Sequence, residues 1–261
     1  MSGVAPDEIE SRWTSVGGRR IHARVTTAEP AASLPVVFVH GIGVASPYMV
    51  PTLARLAPYH RGYAVDLPGF GRSDKPPRTL GVAELAGLLV AWMDAAGLPS
   101  AAIVGNSFGC QVVVDVAARH GERVTRVALL GPTMDRAARS AARQVARWLR
   151  NSLHERPSQL PLLIHDYAQA GLRRPLETFW LALRDPVEEK LPRVEVPALV
   201  VRGSRDTIVP QAWAEEVARL LPAGRLVVLP GAAHTLNYNS PGEVVRVLRP
   251  FLAEHGQCPS Q

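Results

Sequence analysis

The stretch Val104-Gly-Asn-Ser-Phe-Gly109 limits what this chain can fold into more than any other. A β-branched apolar run ends there in a serine with a glycine two residues to either side. A strand that turns directly into a helix needs small residues at those two places, because the backbones flanking the turn pass too close for a side chain. The turn residue itself is held strained and outward-pointing. The helix that follows aims its first N–H groups at the same spot. Such a turn implies a buried strand followed by a helix packed back on it, the repeating unit of an α/β sheet. A serine at that turn is presented as a nucleophile.

The rest of the chain is built from the same units. Pro35–Val39, Gly62–Val65, Ala101–Val104, Val124–Leu130, Ala198–Arg202 and Arg225–Leu229 read as buried strands of a parallel sheet. Helical patterns are expected at about 48–57, 82–96, 108–120, 211–221 and 241–254. Before them, Arg12–Val16 and Arg20–Thr26 alternate like an antiparallel hairpin around Gly17-Gly18. The expected fold is therefore α/β: a doubly wound, mostly parallel sheet. From about 133 to 192 there is helical periodicity and no strand, which reads as a helical lid inserted over the C-terminal edge of the sheet. The expected division is a core of 1–132 and 193–255, a lid of 133–192 and a disordered tail at 256–261.

Composition sets the outer limits. The chain has 261 residues, 47% hydrophobic and 20% charged, the balance of a soluble globular protein with a full core. Met1–Glu10 is acidic, with no basic region or apolar run, and does not read as a secretory signal. No apolar stretch approaches the ~18 residues of a membrane span, so stable membrane insertion is not expected. The two cysteines, Cys110 and Cys258, do not make a disulfide framework, which favours a reduced, cytoplasmic setting. The net charge of +6 comes almost wholly from arginine, only Lys75 and Lys190 being lysines. The arginines are scattered and no aromatic-interleaved basic stripe appears, so no nucleic-acid partner is expected.

A serine hydroxyl is a poor nucleophile until a base takes its proton, and the base needs an orienting carboxylate. Of the eight histidines, His234 alone follows a late strand across a short small-residue loop, Pro230-Gly-Ala-Ala-His234. His120 and His255 fall at helix C-termini, where a cap is the better reading. Asp206 sits just past the preceding strand, in Val201-Arg-Gly-Ser-Arg-Asp206. Asp135, a few residues past Leu130, is the alternative partner. Asp66, in Asp66-Leu-Pro-Gly-Phe-Gly-Arg-Ser73, reads as the brace of a rigid turn. An oxyanion formed on a substrate would need fixed backbone N–H donors. Phe108, the first residue after the serine, is one candidate. The loop His40-Gly41-Ile42-Gly43 offers Ile42, with Gly43 next, while His40 is expected to hold that loop by hydrogen bonds.

These pieces, taken in order with Asp66-Leu-Pro-Gly-Phe-Gly-Arg-Ser-Asp74, resemble the α/β-hydrolase fold family over about residues 12 to 255. The resemblance implies a serine hydrolase acting through an acyl-enzyme, with Ser107, His234 and Asp206 as catalytic residues and no metal or cofactor. Serine at the turn, where haloalkane dehalogenases and epoxide hydrolases carry aspartate, disfavours those two subclasses. The expected reaction is cleavage of a small-molecule carboxylic ester with a small to medium apolar acyl group. Gly-Asn-Ser-Phe-Gly also resembles the turn of carbon–carbon hydrolases that act on aromatic ring-fission products. Two positions depart from that pattern: Thr235 follows the histidine where those enzymes have tryptophan, and Cys110 replaces a second glycine. An acyltransferase or cyclase, or a low-turnover binding protein, remains open on the same fold.

Within 133–192, Arg136, Arg139, Arg143, Arg147 and Arg150 share one helix face. That face reads as solvated, with Val145, Trp148 and Leu149 supplying the packing side. Trp148, Phe179 and Trp180 are the candidates for a substrate-binding acyl pocket.

Overall fold

A computed structural model of the chain describes residues 9–28, 30 and 34–254. His255, the proposed tail at 256–261 and Cys258 lie outside the described residues, as do the first eight. The opening hairpin pairs β1 (Ile9–Val16) with β2 (Arg19–Thr26) in antiparallel register. Its two-residue turn is Gly17-Gly18, both at positive φ (54° and 76°), as a tight hairpin of this hand requires. The strands β3 (Val36–Val39), β4 (Gly62–Val65), β5 (Ala101–Asn106), β6 (Val124–Leu130), β7 (Ala198–Gly203) and β8 (Gly224–Leu229) then run parallel. The sheet order is β1-β2-β4-β3-β5-β6-β7-β8.

Because successive side chains point to opposite faces, each central strand feeds two separate cores. Val37, Val39, Ile103, Val127 and Leu129 enter one core with side chains of α2 (Val82–Ala95), α3 (Phe108–Arg119) and α8 (Gln211–Leu220). Val36, Phe38, Val104, Ala128 and Leu130 enter the other with α1 (Val50–Leu56) and α10 (Pro241–Ala253). The doubly wound α/β sheet expected from the strand–helix alternation is thus realised.

Between β6 and β7 the chain forms α4 (Ala141–Ser152), α5 (Leu160–Ala170), α6 (Arg173–Arg184) and α7 (Val187–Lys190), with no strand among the described residues there. A short α9 (Leu236–Asn239) follows His234. The inserted helix α4 faces the opposite way from the expected one. Val145, Trp148 and Leu149 are about half exposed, while Gln144 and Asn151 are buried. The polar face turns inward because it finds partners there. Gln144 Nε2 donates to Ala138 O at 2.9 Å, and Arg147 Nη1 to Asp135 Oδ2 at 2.7 Å. Of the same arginine row, Arg136 pairs with Glu216 and Arg139 with Glu188, so the row is not simply solvated.

Candidate active site

Ser107 joins β5 to α3 with φ 54° and ψ −121°, and is the only non-glycine residue at positive φ among the described residues. Its neighbours explain why such a conformation is kept. A Cβ on Gly105 would lie 2.7 Å from the carbonyl of Gly109, and one on Gly109 would lie 2.7 Å from His40 O. Neither position tolerates a side chain without moving backbone. Ser107 N–H donates to Leu130 O at 2.9 Å, and Asn106 Nδ2 donates to the same carbonyl at 3.0 Å. The turn is therefore sewn to the end of β6.

The residue after Leu130 is the meeting point of the site. Gly131 (φ 60°) has no side chain, and a Cβ there would stand 3.0 Å from the His234 ring and 3.3 Å from Asp206 Oδ2. His234 Nδ1 lies 2.8 Å from Asp206 Oδ2. The other carboxylate oxygen, Oδ1, accepts from Ile208 N–H at 2.9 Å and Val209 N–H at 3.0 Å. Asp206 is thus buried with both oxygens engaged and one aimed at the imidazole. Asp135, the alternative partner, accepts instead from Ala137 N–H and Arg147, so the carboxylate that meets His234 is that of Asp206. His234 Nε2 is buried without a hydrogen-bond partner, and no bond from Ser107 Oγ is formed in this conformation.

Burial alone pulls the His234 pKa down. The charge and hydrogen bond of Asp206, with the charge of Glu155 behind them, outweigh it, and the net displacement is upward. Glu155 lies in the turn after α4 and packs beneath the histidine loop. It accepts from Thr235 N–H at 2.9 Å, Asn239 Nδ2 at 2.6 Å, Asn151 Nδ2 at 2.7 Å and the Thr235 hydroxyl. Asn151 in turn accepts from Thr207 N–H at 3.4 Å, beside Asp206. Sequence spacing gave no sign of this link, because its two ends are 80 residues apart.

The loop after β3 carries the expected oxyanion donors. His40 is buried and held by both ring nitrogens: Leu67 N–H donates to Nε2 at 3.0 Å, so Nδ1 carries the proton given to Gly41 O at 2.8 Å. Burial lowers its pKa, and the opposing pulls of Asp66 and the Gly41 carbonyl do not cancel this. Asp66 accepts from His22 Nδ1 at 2.7 Å and Arg72 N–H at 2.9 Å, and from Ser46 N–H, as a brace for the neighbouring turn should. The N–H groups of Ile42, Gly43 and Phe108 donate to no acceptor of the chain among the described residues. Two residues of α5 support this loop and escaped sequence reasoning. Asp166 accepts from Ala45 N–H at 3.0 Å, and Tyr167 Oη donates to Ile42 O at 3.4 Å, its ring filling the space a side chain at Gly43 would need.

The three aromatic candidates for an acyl pocket are placed unevenly. Phe179 is half-buried and packs on the core, edge-on to Trp180. Trp148 and Trp180 are 54% and 51% exposed and open to solvent. Among the described residues no three histidine, cysteine or acidic side chains are grouped as metal ligands.

Known proteins resemble this one in both sequence and shape. The model of the alpha/beta hydrolase family matches residues 36–247. The 2-hydroxymuconate semialdehyde hydrolase of Pseudomonas putida is 28% identical, the match covering 91% of this chain and 94% of that protein. A pimeloyl-[acyl-carrier protein] methyl ester esterase of Neisseria meningitidis is 29% identical over 78% of this chain and 87% of its own. The enol-lactonase of Burkholderia xenovorans superposes with a TM-score of 0.81 over 93% of this chain and 100% of that one; at 23% identity this speaks to the fold. With most of its length matched by the family model, and with hydrolases among its relatives, the chain belongs to the alpha/beta hydrolase family and is a hydrolytic enzyme.

Proposed function

We propose that this enzyme cleaves carboxylic esters of small to medium apolar acids, through an acyl-enzyme on Ser107. The observations that support the reading are the strained Ser107 turn and a buried histidine whose Nδ1 is held by Asp206 and whose Nε2 has no partner among the described residues. Ser107 Oγ attacks the ester carbonyl carbon while His234 Nε2 takes its proton. The oxyanion so formed is held by the N–H groups of Phe108 and Ile42, with Gly43 beside them. Collapse breaks the bond to the alkoxide, which leaves with the proton from His234. Water then repeats the sequence on the acyl-enzyme and frees the acid. Asp206 stays ionised throughout and stabilises the imidazolium. No cofactor enters these steps.

In this reading 133–192 is a lid on a core of 1–132 and 193–255, and Phe179, half-buried against the core where Trp148 and Trp180 are exposed, is the favoured candidate for a substrate contact. Replacing Ser107 by Ala should abolish turnover of a short p-nitrophenyl ester and labelling by a fluorophosphonate. Retained activity would refute the mechanism.

A second reading, carbon–carbon hydrolysis of a ring-fission product, is favoured by the nearly full-length match to 2-hydroxymuconate semialdehyde hydrolase. Assaying the pure enzyme on simple esters, lactones, thioesters and a dienone ring-fission analogue separates the two. Faster turnover of the dienone than of any ester would select the second.

A further inference from the structure

The apolar surface of this protein is unevenly distributed. Of the eleven large hydrophobic side chains exposed among the described residues, nine lie between Val145 and Trp180, in the insert. They follow helical stripes. Val145, Leu149 and Leu153 recur every four residues along α4 and its C-cap, and Leu172, Leu176 and Trp180 do the same along α6. Leu153 and Leu172 are 82% and 77% exposed. A polar inner face and an apolar outer face on one helix is the reverse of what water alone would select.

Charge on the same surface indicates what covers it. Arg143, Arg150 and Arg156 are exposed and have no carboxylate partner among the described residues. Between Arg136 and Trp180 the acidic residues are Glu155 and Asp166, turned inward to Thr235 and Ala45, and Glu177, which is paired with Arg173 and Thr79. Apolar tips, tryptophans and exposed guanidiniums without a carboxylate partner are the composition of an interfacial anchor, although Arg143 Nη1 also donates to Ala137 O at 3.0 Å. A second copy of this chain would bring like charges together, which argues against self-association through this face. No described helix is long and apolar enough to cross a membrane, so the contact is peripheral.

We propose that the outer face of α4–α6 docks on an anionic lipid surface, its leucines and tryptophans entering the interface and Arg143, Arg150 and Arg156 meeting lipid phosphates. The helix α5, whose Leu160 and Ile164 point outward, holds the Ile42 loop from its inner side through Asp166 and Tyr167. Docking therefore sets the active site close beneath the lipid headgroups.

The test is co-sedimentation of the full chain with vesicles of phosphatidylcholine alone or mixed with phosphatidylglycerol, at low and high salt, with light scattering for oligomeric state. Strong binding to the mixed vesicles, weak binding to phosphatidylcholine and loss at high salt are expected. Replacing the three arginines together by Ser should weaken binding to the mixed vesicles about a hundredfold, each guanidinium near the surface contributing about fivefold. The pair Leu153→Ser and Leu172→Ser should weaken binding to both vesicles while leaving thermal stability unchanged. Three results would overturn the proposal: no binding to either vesicle, a dimer abolished by the leucine pair without vesicle binding, or salt-sensitive binding to soluble polyglutamate alone. The last would assign the face to an acidic protein.

Discussion

At the residue scale, the positive φ of Ser107 is maintained by its backbone surroundings and not by its side chain. The close approaches at Gly105 and Gly109 and the bond to Leu130 O leave the turn no lower-strain alternative. Gly131 is the most sensitive neighbour, since it separates the serine turn from the His234–Asp206 pair. Gly131→Ala would place a methyl 3.0 Å from the imidazole at a backbone φ of 60° that alanine resists. A displacement of this kind should lower kcat about a hundredfold with little change in KM, as steady-state kinetics would show. Asp206→Asn should lower kcat about ten-thousandfold, because an amide favours the wrong imidazole tautomer. Asp135→Asn, which touches Arg147 and not His234, should leave kcat within about threefold of the parent enzyme. The upward displacement of the His234 pKa has a definite sign in the kinetics. The base works as neutral imidazole, so kcat/KM should rise with pH through a midpoint above the ordinary 6.5 and be lost below it.

At the scale of elements, the insert makes the chemistry depend on more than three residues. Glu155→Gln removes a negative charge that holds the His234 pKa up, while one amide oxygen still accepts from Thr235 or Asn151. The acidic limb of the kcat/KM profile should move to lower pH, and a role confined to packing would leave it in place. Asp166 carries a cost of its own. Burial, with the charge of Asp66, lifts its pKa from 3.8 to about 6, although the Ala45 N–H bond pulls the other way. A carboxyl whose folded pKa is raised loses stability as pH climbs from the unfolded to the folded value. Asp166→Asn keeps an acceptor for Ala45 N–H and removes the charge. Denaturant titrations should then find the variant more stable at pH 8 by roughly 1–2 kcal/mol, and equal to the parent near pH 3. These helices are also where the sequence was least legible. Period 3.6 announces a helix, but which face turns inward depends on what it meets. The floor beneath α4 is the 135–138 turn and the Thr207 loop, with polar groups to satisfy, so Gln144, Arg147 and Asn151 face it in place of Val145, Trp148 and Leu149.

Across the whole molecule, the sheet was readable because its inner parallel strands are buried on both faces and stand out as apolar runs, while β8 at the edge, with Arg225 exposed, is only partly buried. Val36–Val39 and Ala101–Asn106 have no exposed residue, and their ends fell within one or two residues of the apolar pattern. The positions of Ser107, Asp206 and His234 followed from those strand ends. What remained hidden was every contact between the insert and the core, since it joins residues far apart in sequence through single side chains. The insert holds the acid loop through Asn151, the histidine loop through Glu155 and the Ile42 loop through Asp166 and Tyr167. That arrangement bears on how such enzymes can be re-engineered. Under the proposed function, a chimera in which this segment is exchanged for a relative's should lower turnover on every substrate alike, because the exchange also removes the bonds that hold these three loops. Recovery would require restoring, on the insert's side, the acceptors Asp166, Asn151 and Glu155 that hold the N–H groups of residues 45, 207 and 235. If the proposed function holds, one segment would then carry both selectivity and the support of catalysis.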